Sequence, residues 1–453
     1  MALIVQKYGG TSVGNTERIR NVASRVAKYR AQGDQVVVVV SAMSGVTDAL
    51  LAIAAAAGSA RADDALARVE QLRQRHVAAA SELVSGPSLS TVVAQVTDTF
   101  EQLSAVVRAL AVLREVSPRT LDVVAAMGEL LSSRLIAAAL VEAGVPAEWV
   151  DARRAIVTND DHTRAAPLMR ETTAALRASV VPVLEAGSVP VLGGFVGATA
   201  EGHTTTLGRG GSDYSGALVG AGIEAAEIQI WTDVDGMLTA DPRIITAPRL
   251  VPRLSFAEAA ELAYFGAKVL HPSTILPAVE RDIPVRILNS MRPEGTGTLI
   301  TAAPSLDGTP LTGLASKRGV TVIDITSTRM LMAHGFLRQV FEVFERFRTA
   351  VDVVTTSEVS VSVTVDDRRY VEGITQELSV FAQVAAEADM ALLCAVGDRL
   401  RDEPEIAARV VGVLEEVPLR MISQAASRRN ITVVLRQSDL PHAMQRLHEE
   451  FFR

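Results

Sequence analysis

The stretch of residues 204–215, TTTLGRGGSDYS, contains residue types that bind anions in proteins. Three threonines lead into three glycines that surround Arg209, and a helical pattern then runs from Tyr214 to Gly222. Glycines let the backbone approach a ligand closely, and a helix N-terminus presents free N–H groups with a partial positive charge. Arg209 adds a planar guanidinium that suits a carboxylate or a phosphate. The stretch therefore predicts an anion-binding site.

A second candidate anion site follows the first apolar run, at residues 7–12, KYGGTS. A strand pattern ends in Lys7, two glycines and two hydroxyl residues, and a helical pattern begins shortly afterwards. Such a turn forms a cradle for phosphate oxygens, and Lys7 adds a point charge. The alternative is an ordinary turn after a strand. The P-loop pattern GxxxxGK[ST] occurs nowhere in the chain, so a nucleotide-binding protein of this sequence needs another scaffold.

Residues 41–48, SAMSGVTD, directly follow a strand pattern of five valines at residues 36–40. Ligands of open α/β sheets bind at the carboxyl ends of strands, so this hydroxyl-rich loop suits a polar ligand. The alternative is that Thr47 or Ser44 caps a helix that starts at Asp48. The sequence leaves both interpretations open.

Glu129 lies among small and apolar residues in the helical segment 127–133, MGELLSS. Charged side chains of helices are mostly exposed. Taken by itself, this position therefore predicts a solvated glutamate.

Residues 231–243, WTDVDGMLTADPR, end a strand pattern with hydroxyl, acidic and glycine residues. The three aspartates lack the spacing of a calcium-binding EF-hand loop, and no glutamate closes the segment. A nucleotide site is the better interpretation, with Thr232 and Asp233 on the base or ribose side and Arg243 on the phosphates.

Residues 265–272, FGAKVLHP, place Lys268 on a glycine turn. His271 precedes a proline in the same segment, and a structural role is the simpler interpretation for it than a catalytic one.

Four of these segments resemble, in their order along the chain, the aspartate kinases of the amino-acid kinase family: residues 7–12, 204–215, 231–243 and 265–272. The resemblance covers essentially the full chain. It extends to MLMAHGFL at residues 330–337 and VDVVTTSEVSV at 351–361, which look like the first ACT domain of monofunctional, lysine-sensitive-type enzymes. A second ACT copy follows, and no fused homoserine dehydrogenase is expected.

The resemblance implies transfer of the γ-phosphoryl group of Mg-ATP to the β-carboxylate of L-aspartate. The product is 4-phospho-L-aspartate, and the reaction is the first step of lysine, threonine and methionine biosynthesis. A carboxylate is already a nucleophile at neutral pH, so no general base is needed, and catalysis consists of positioning and charge neutralisation. ATP with Mg²⁺ is the implied cofactor, and no set of protein metal ligands is expected.

The resemblance also assigns roles to individual positions. It places Lys7 at the transferred phosphoryl group, Asp213 as the residue that orients the catalytic lysine, and Lys268 at ATP. Four residues are implied to bind aspartate, with Arg209 on the α-carboxylate and Glu129 on the α-ammonium group: Thr47, Glu129, Arg209 and Ser212. Eight are implied to bind the nucleotide: Lys7, Gly9, Gly10, Ser12, Thr232, Asp233, Arg243 and Lys268. Leu238 stands where several family members carry a tyrosine near the nucleotide, so no tyrosine contact to ATP is expected.

An amino-acid effector site is implied in the first ACT copy. Asp352 is the side chain expected to bind the effector's ammonium group. Ala333 and Ala350 replace serines of a lysine-sensitive pattern, so two side-chain hydroxyls are missing. Lysine is the first expectation for the effector and threonine the second, with reduced sensitivity as a further alternative. The implied effector residues are Met330, Gly335, Phe336, Leu337, Val351, Asp352, Ser357 and Glu358.

The elements that must position these residues change in character near residue 300. Before it, strand patterns alternate with helical patterns, which predicts an α/β fold with a mostly parallel sheet covered on both faces, the α/β/α sandwich of the amino-acid kinases. A turn-rich boundary follows. Beyond it the order βαββαβ occurs twice, and the second copy lacks its last strand. Residues 311–316 form an apolar segment that would supply this strand and interlock the two copies.

The predicted domains are a catalytic domain at residues 1–300, a linker with a shared strand at 301–319, and ferredoxin-like ACT domains at 320–387 and 388–453. A homodimer or higher homo-oligomer through the ACT domains is expected.

The composition of the 453-residue chain excludes several classes of protein. A formal net charge of −8 argues against nucleic acid as a partner, because a nucleic-acid-binding protein carries a basic face. The single cysteine, Cys394, fits a reducing compartment and lies in an apolar run that predicts a buried thiol. Apolar runs such as residues 36–40 and 49–57 are far shorter than the roughly 18–20 residues that span a bilayer. Residues 2–7 read as a first strand and not as a signal peptide. We expect a cytoplasmic protein with no membrane partner.

Two rival functions come from other classes. One is a kinase of another carboxylate or of a carbamate in the same superfamily, and the paired ACT pattern together with Arg209 and Glu129 counts against it. The other is a catalytically silent amino-acid sensor, and the presence of Lys7, Asp213 and Lys268 counts against that.

Overall fold

The computed structural model describes residues 2–267, 270–303, 310–327, 334–398, 400, 402–424 and 427–452. The chain packs into two compact units, each made of two segments. The first unit contains Met1–Gly236 and Leu270–Ala302, and the second contains Met237–Val269 and Ala303–Arg453. The second unit therefore includes a segment that the sequence pattern groups with the catalytic domain at residues 1–300.

Apolar packing explains why Met237–Val269 belongs to the second unit. Ala240 and Ile245 are buried in one core with Leu311 and Leu314. The backbone N–H of Leu314 also donates to the carbonyl oxygen of Thr239 at 2.7 Å. The segment thus gains its burial from residues that follow position 303.

The described strands are, in chain order, β1 Leu3–Tyr8, β2 Gln35–Val40, β3 Ala147–Val150, β4 Val189–Gly193, β5 Val196–Ala198, β6 Thr204–Thr206, β7 Glu227–Thr232, β8 Arg253–Ser255, β9 Val285–Asn289, β10 Thr298–Thr301, β11 Gly313–Thr326, β12 Val354–Thr356, β13 Ser360–Val365, β14 Gln383–Val396, β15 Leu419–Ser423 and β16 Asn430–Arg436.

The described α-helices are α1 Thr16–Ala31, α2 Val46–Gly58, α3 Ala62–Leu83, α4 Gly86–Leu113, α5 Pro118–Glu142, α6 Ala152–Ala155, α7 Met169–Ser179, α8 Val181–Glu185, α9 Gly211–Gly222, α10 Phe256–Tyr264, α11 Leu276–Val279, α12 Phe336–Arg346, α13 Val371–Leu378, α14 Pro404–Val413 and α15 Leu440–Phe451. Short 3₁₀ helices cover Gly10–Val13 and Pro272–Ile275.

Seven strands of the first unit lie side by side in the order β3–β4–β2–β1–β7–β9–β10. The neighbouring pairs are parallel except β9 with β10, which confirms the predicted mostly parallel sheet. The five valines of β2, between β1 and β4, have no exposed surface. A continuous apolar strand of this kind belongs in the middle of a sheet that is covered on both faces.

Adjacent residues of β1 serve opposite faces of this sheet, because side chains alternate along a strand. Tyr8 is buried in the large core to which α1, α2 and α5 contribute. Lys7 points the other way, toward α9, where a Cβ added to Gly216 would lie 3.1 Å from the Lys7 Cβ. The end of β1 therefore directs Lys7 toward the first half of α9.

The second unit contains a single antiparallel sheet in the order β12–β13–β11–β14–β16–β15. Residues 321–326 of β11 pair with β13, whereas residues 313–318 pair with residues 391–396 of β14. The apolar segment that begins at Leu311 thus contributes a strand to the second copy. Separate cores lie under α12 with α13 and under α14 with α15. The two βαββαβ modules thus have a core each but share one sheet.

The long apolar helix α5 lies inside the fold. In the described part of the chain, α5 is the one helix long and apolar enough to cross a membrane, and 83% of its most apolar stretch is buried inside the fold. Cys394 is fully buried on β14, and this burial raises the pKa of its thiol, as expected for an unreactive structural cysteine.

Candidate active site

An ion pair at the carboxyl end of β1 forms the centre of the site. The Nζ of Lys7 lies 2.6 Å from Oδ1 of Asp213, and the side chain of Lys7 is only 7% exposed. Asp213 belongs to the first turn of α9, one turn before Gly216. A buried ammonium group needs a partner of opposite charge to offset its desolvation, and Asp213 provides it.

The first turn of α9 has the geometry of an anion-binding helix terminus. Gly210 precedes the helix with a left-handed φ of 73°, and a Cβ there would lie 2.9 Å from Cγ2 of Thr274. The helix begins at Gly211, three residues before the predicted start, so Ser212 lies in its first turn. Arg209 is exposed next to this terminus, and no described residue forms an ion pair with it. A cation and free helix N–H groups are therefore available together.

The loop that leads to Arg209 is fixed by a buried carboxylate that the sequence did not single out. Asp122 on α5 is 1% exposed and accepts a hydrogen bond from the Thr206 hydroxyl at 2.5 Å. It also accepts one from the Thr163 backbone N–H at 3.0 Å and contacts Nδ1 of His162 at 2.7 Å. Asp122 thus holds the end of β6 in place, two residues before Gly208.

The loop after β2 lies against the same helix terminus. The Ser41 hydroxyl donates to the hydroxyl of Ser212 at 2.9 Å, and the Ser132 hydroxyl donates to the Ser41 carbonyl at 2.8 Å. The alternative of a side-chain helix cap is wrong, because α2 begins at Val46 after Gly45 and has no side-chain cap. Thr47 is the half-buried second residue of that helix.

Glu129 is buried in the middle of α5, so the prediction of a solvated side chain is wrong. It is 4% exposed, and burial raises its pKa to about 8, although the Ala42 backbone, its own backbone and the charge of Lys7 act in the opposite direction. Its Oε2 has no hydrogen-bond partner among the described residues. A buried carboxylate oxygen without a partner is costly, so this atom is suited to receive a donor from a ligand.

The glycine turn after β1 is tied to the end of β7. The Gly9 N–H donates to the Trp231 carbonyl at 3.0 Å, and the Ser12 hydroxyl contacts that carbonyl at 3.1 Å and the Ser290 hydroxyl at 2.8 Å. At Gly10 a Cβ would lie 3.2 Å from the Ala42 carbonyl oxygen. The turn is therefore held close to the loop after β2.

Thr232 and Asp233 continue the chain directly from Trp231. Thr232 is half-buried at the last position of β7, and the following Asp233 is exposed. The Thr232 hydroxyl reaches Oδ1 of Asp233 at 3.3 Å. The structure thus places these two residues at the same strand edge as the glycine turn.

Arg25 packs against the same edge, and no sequence pattern indicated this residue. Its side chain is buried, its Cζ lies 4.0 Å from the centre of the Trp231 ring, and Nη2 donates to the Ser290 carbonyl at 3.0 Å. The guanidinium therefore stacks on the residue whose carbonyl accepts from the glycine turn.

Two residues implied to bind the nucleotide belong to the second unit. Arg243 is exposed and forms a two-pronged pair with Asp241, with a shortest distance of 2.6 Å. Its hydrogen bonds hold the pKa of Asp241 below its usual range. Within this unit Arg243 lines a cavity of about 410 Å³ with Gly266, Lys317 and Arg318. Lys268 lies outside the described residues.

The implied effector residues occupy two places in the first βαββαβ module. Gly335 precedes α12 with a left-handed φ of 87°, Phe336 is buried in the module core, and Leu337 is exposed. Val351 and Asp352 lie before β12. The turn between β12 and β13 contains the remaining pair, which is exposed: Ser357 and Glu358. Met330 lies outside the described residues.

Asp352 is already engaged inside this unit. Its Oδ1 accepts from Nζ of Lys317 at 2.9 Å and from the hydroxyl of Tyr264 at 3.1 Å. Its side chain is 5% exposed, and Oδ2 has no hydrogen-bond partner in the described part of the chain. Neither Tyr264 nor Lys317 was identified from the sequence.

Comparison with known proteins gives two domain matches. Residues 2–289 match the amino acid kinase family, which is more than half of the chain. Residues 393–451 match the ACT domain.

Relatives of known name match the chain over nearly its whole length. The chloroplastic aspartokinase 1 of Arabidopsis thaliana is 37% identical over 99% of this chain and 80% of its own length. The lysine-sensitive aspartokinase 3 of Escherichia coli is 35% identical over 99% of both chains. Two crystal structures of E. coli aspartokinase III, one with lysine and aspartate in the T-state and one with aspartate and ADP in the R-state, have a TM-score of 0.83, 34% identity and coverage of 100% of both chains.

Proposed function

The chain belongs to the aspartokinases of the amino acid kinase family, and from this premise we propose how its residues transfer the γ-phosphoryl group of ATP to the β-carboxylate of L-aspartate. One observation carries the proposal: the charge of Lys7, which pairs with Asp213, acts on the buried carboxylate of Glu129, whose Oε2 has no partner among the described residues. The first suits a transferred phosphoryl group, and the second suits the ammonium group of an amino acid.

Lys7 neutralises the phosphoryl group as it moves between ATP and aspartate. The negative charge on that group is spread over its oxygens during transfer, and a fixed cation stabilises it in a site that excludes water. Asp213 holds the ammonium group in position before the substrates bind. The acceptor is itself a carboxylate, so the site needs no general base.

Aspartate binds between α5 and the start of α9. Arg209 pairs with the α-carboxylate, because a guanidinium fork matches the two oxygens of a carboxylate. Glu129 accepts from the α-ammonium group through its unpartnered oxygen. Ser212 and Thr47 add hydroxyl contacts on either side, and the bond between Ser212 and Ser41 prepares one of them in advance.

ATP binds at the glycine turn and the end of β7. Gly9, Gly10 and Ser12 present the turn to the phosphates, and Thr232 with Asp233 takes the base or ribose side. The resemblance assigns Arg243 and Lys268 to the nucleotide as well.

Mg²⁺ enters as part of the substrate. The described residues contain no cluster of three or more His, Cys, Asp or Glu side chains that could hold a metal ion. Magnesium commonly uses substrate phosphates with few protein ligands, so it binds here mainly through the oxygens of ATP.

An amino acid that binds the first ACT module inhibits the kinase. The structure of the E. coli enzyme with lysine supports lysine as the effector, and threonine is the second choice. The site comprises Gly335, Phe336 and Leu337 on one side and the segments that hold Asp352 and Glu358 on the other, with Met330 as a further member.

The same module joins two chains into a homo-oligomer. All three residues of the edge strand β12 are exposed, and Val359 adds exposed apolar surface in the turn that follows it. An exposed edge strand readily pairs with a second copy, so this edge is the proposed interface.

A cytoplasmic location is consistent with the single buried cysteine.

The substrate assignment is tested with Arg209→Ala and a hydroxamate assay, in which hydroxylamine traps the acyl phosphate. The KM for aspartate rises about 10²-fold, as expected for the loss of a charged hydrogen-bonded pair, and the KM for ATP changes less than threefold. Arg170→Ala, which removes another exposed cation of the first unit, serves as the matched control with no effect.

Two outcomes would contradict the proposal. If only the KM for ATP rises, Arg209 belongs to the nucleotide site. If the wild-type protein forms hydroxamate with another carboxylate and none with aspartate, the substrate assignment is wrong.

A further inference from the structure

Arg209 depends on its backbone for the direction of its side chain. The side chain is exposed, and no described residue forms an ion pair with it. It follows Gly208, whose φ of 74° lies in the left-handed region that favours glycine. The chain around Gly208 must therefore be fixed if the guanidinium is to meet a carboxylate in a defined direction.

A loop at residues 159–166 packs against this part of the chain. A Cβ added to Gly208 would lie 3.2 Å from the carbonyl oxygen of Thr163 and 3.5 Å from Cα of Arg164. The backbone N–H of Ala165 also donates to the carbonyl oxygen of Thr206, the last residue of β6, at 2.9 Å. The loop thus contacts the chain both at the end of β6 and at Gly208.

The backbone of Thr163 is strained at this contact. Its φ of 73° lies in the left-handed region, which a β-branched residue rarely adopts. Such strain costs free energy, persists only where surrounding contacts hold the backbone, and is most common at functional sites. The strain therefore indicates that other contacts keep the carbonyl group of Thr163 beside Gly208.

The carboxylate of Asp122 on α5 provides these contacts. It accepts from the backbone N–H of Thr163, at 3.0 Å with Oδ1 and 3.1 Å with Oδ2, and from the hydroxyl of Thr206 at 2.5 Å. Nδ1 of His162 lies 2.7 Å from Oδ2. Hydrogen bonds to a charged group are among the stronger ones, and Asp122 is fully enclosed at 1% exposure. One carboxylate therefore holds both the loop and the strand that meet at Gly208.

We propose that Asp122 is a positioning residue for the binding of aspartate, and that it acts through Thr163 and Thr206 on the direction of Arg209. A carboxylate placed directly beside Arg209 would also fix the guanidinium, but it would compete with the carboxylate of the substrate. Control through the backbone leaves the cation free for its ligand. The inference rests on the proposed function, because it takes Arg209 as the residue that binds the α-carboxylate.

Variants of Thr206 test this inference in the full-length enzyme with the hydroxamate assay. Thr206→Val keeps the shape of the side chain and removes the hydroxyl. The KM for aspartate rises about tenfold, whereas the KM for ATP and kcat at saturating aspartate stay within about threefold, because only substrate binding is weakened. Thr206→Ser restores the hydroxyl and brings the KM for aspartate back to within about twofold of wild type. A merely structural role would instead lower kcat without this split between the two KM values.

A double variant shows whether the carboxylate acts through Arg209. If it does, kcat/KM for aspartate in Thr206→Val with Arg209→Ala stays within about threefold of Arg209→Ala alone, because the second change has nothing left to disturb. Asp122→Asn keeps the size of the side chain and removes its charge, and it should raise the KM for aspartate as well. The Thr206 variants carry the test if this buried substitution prevents folding.

Thr99→Val is the matched control, because it removes another buried hydroxyl of the first unit, which donates to the Gln95 carbonyl within its own helix. It retains the wild-type KM for both substrates.

Three outcomes would overturn the inference alone. They are a wild-type KM for aspartate in Thr206→Val while Arg209→Ala raises it, a Thr206→Ser variant no better than Thr206→Val, and effects of Thr206→Val and Arg209→Ala that multiply in the double variant. An unchanged KM for aspartate in Arg209→Ala itself would instead contradict the proposed role of Arg209, and the inference would fall with it.

Discussion

Individual side chains of the active site differ in how much their sequence context reveals. Lys7 and Arg209 stand beside glycines, where a cation has little structural use, so their types already indicate anion binding. Glu129 gives no such signal, because its burial and its contact with the Ala42 backbone depend on a loop that is far away in sequence. Arg25 and Asp122 were missed for the same reason, since each acts on a carbonyl or hydroxyl that only the tertiary fold brings near.

Replacement of Lys7 by methionine tests the central charge. The variant keeps a side chain of similar length but loses the cation that we propose to face the phosphoryl group. We expect kcat to fall about 10²–10³-fold, the usual effect of removing one electrostatic contact to a transition state. Lys28→Met, which removes an exposed lysine of α1, is the matched control. Turnover of the Lys7 variant within tenfold of wild type would remove this residue from the mechanism.

The raised pKa of Glu129 predicts that aspartate binding releases a proton. With a pKa near 8, the carboxyl group is mostly protonated at pH 7 in the free enzyme, and it must ionise to pair with the substrate's ammonium group. Affinity for aspartate therefore increases as the pH rises toward 8 and levels off above it. Calorimetry at pH 7 in buffers of different ionisation enthalpy should show release of close to one proton.

Glu129→Gln provides the comparison for this measurement. It binds aspartate more weakly and releases no proton, because the amide does not ionise. Glu142→Gln alters an exposed glutamate at the end of the same helix and should behave like wild type. Proton release that persists in Glu129→Gln would show that another group titrates on binding.

Among the elements, close packing between the residue after β4 and α9 fixes the start of α9, where we propose that aspartate binds. A Cβ added to Gly194, directly after β4, would lie 2.8 Å from Cβ of Ser212 and 3.3 Å from Cγ1 of Val39. The first turn of α9 thus packs directly against Gly194. The position of the start of α9 therefore depends on the absence of a side chain at position 194.

Gly194→Ala should displace the start of α9 and lower kcat/KM for aspartate about 10–100-fold, because small misplacements in an active site are costly. Gly412→Ala on α14, where no atom lies within 4 Å of an added Cβ, is the matched control. Steady-state kinetics of both variants decide the matter. A Gly194 variant within twofold of wild type would show that α9 adjusts freely.

Strands and helices with strong sequence patterns were predictable, whereas the continuation of one strand across a predicted boundary was not. The valine run became the buried central strand β2, and the apolar run at residues 2–7 became β1. In contrast, β14 runs without a break across the boundary predicted between residues 387 and 388. Asp389 adopts a left-handed φ of 58° there, and the opposing β11 shifts register near Val320. A bulge of this kind bends a strand without ending it, and polar residues at the bend look like a break in sequence.

For the molecule as a whole, the boundary between the two units was hard to predict from the sequence. Met237–Val269 is flanked on both sides by strands of the first sheet, so its position in sequence favours the catalytic domain. Its burial depends on Leu311, Leu314 and residues near the C-terminus, and such distant contacts leave no local pattern. The regulatory unit therefore holds residues that the sequence resemblance assigns to ATP.

The shared core of Met237–Val269 has a consequence for the order of events during synthesis of the chain. Ala240 and Ile245 emerge from the ribosome early, whereas their partners in α15 follow some 200 positions later. At about 5–20 residues per second, the chain from residue 270 to residue 440 takes roughly 10–30 seconds to make. Throughout that interval the segment with Arg243 lacks its packing partners, so it cannot reach its packed position before α15 has been made.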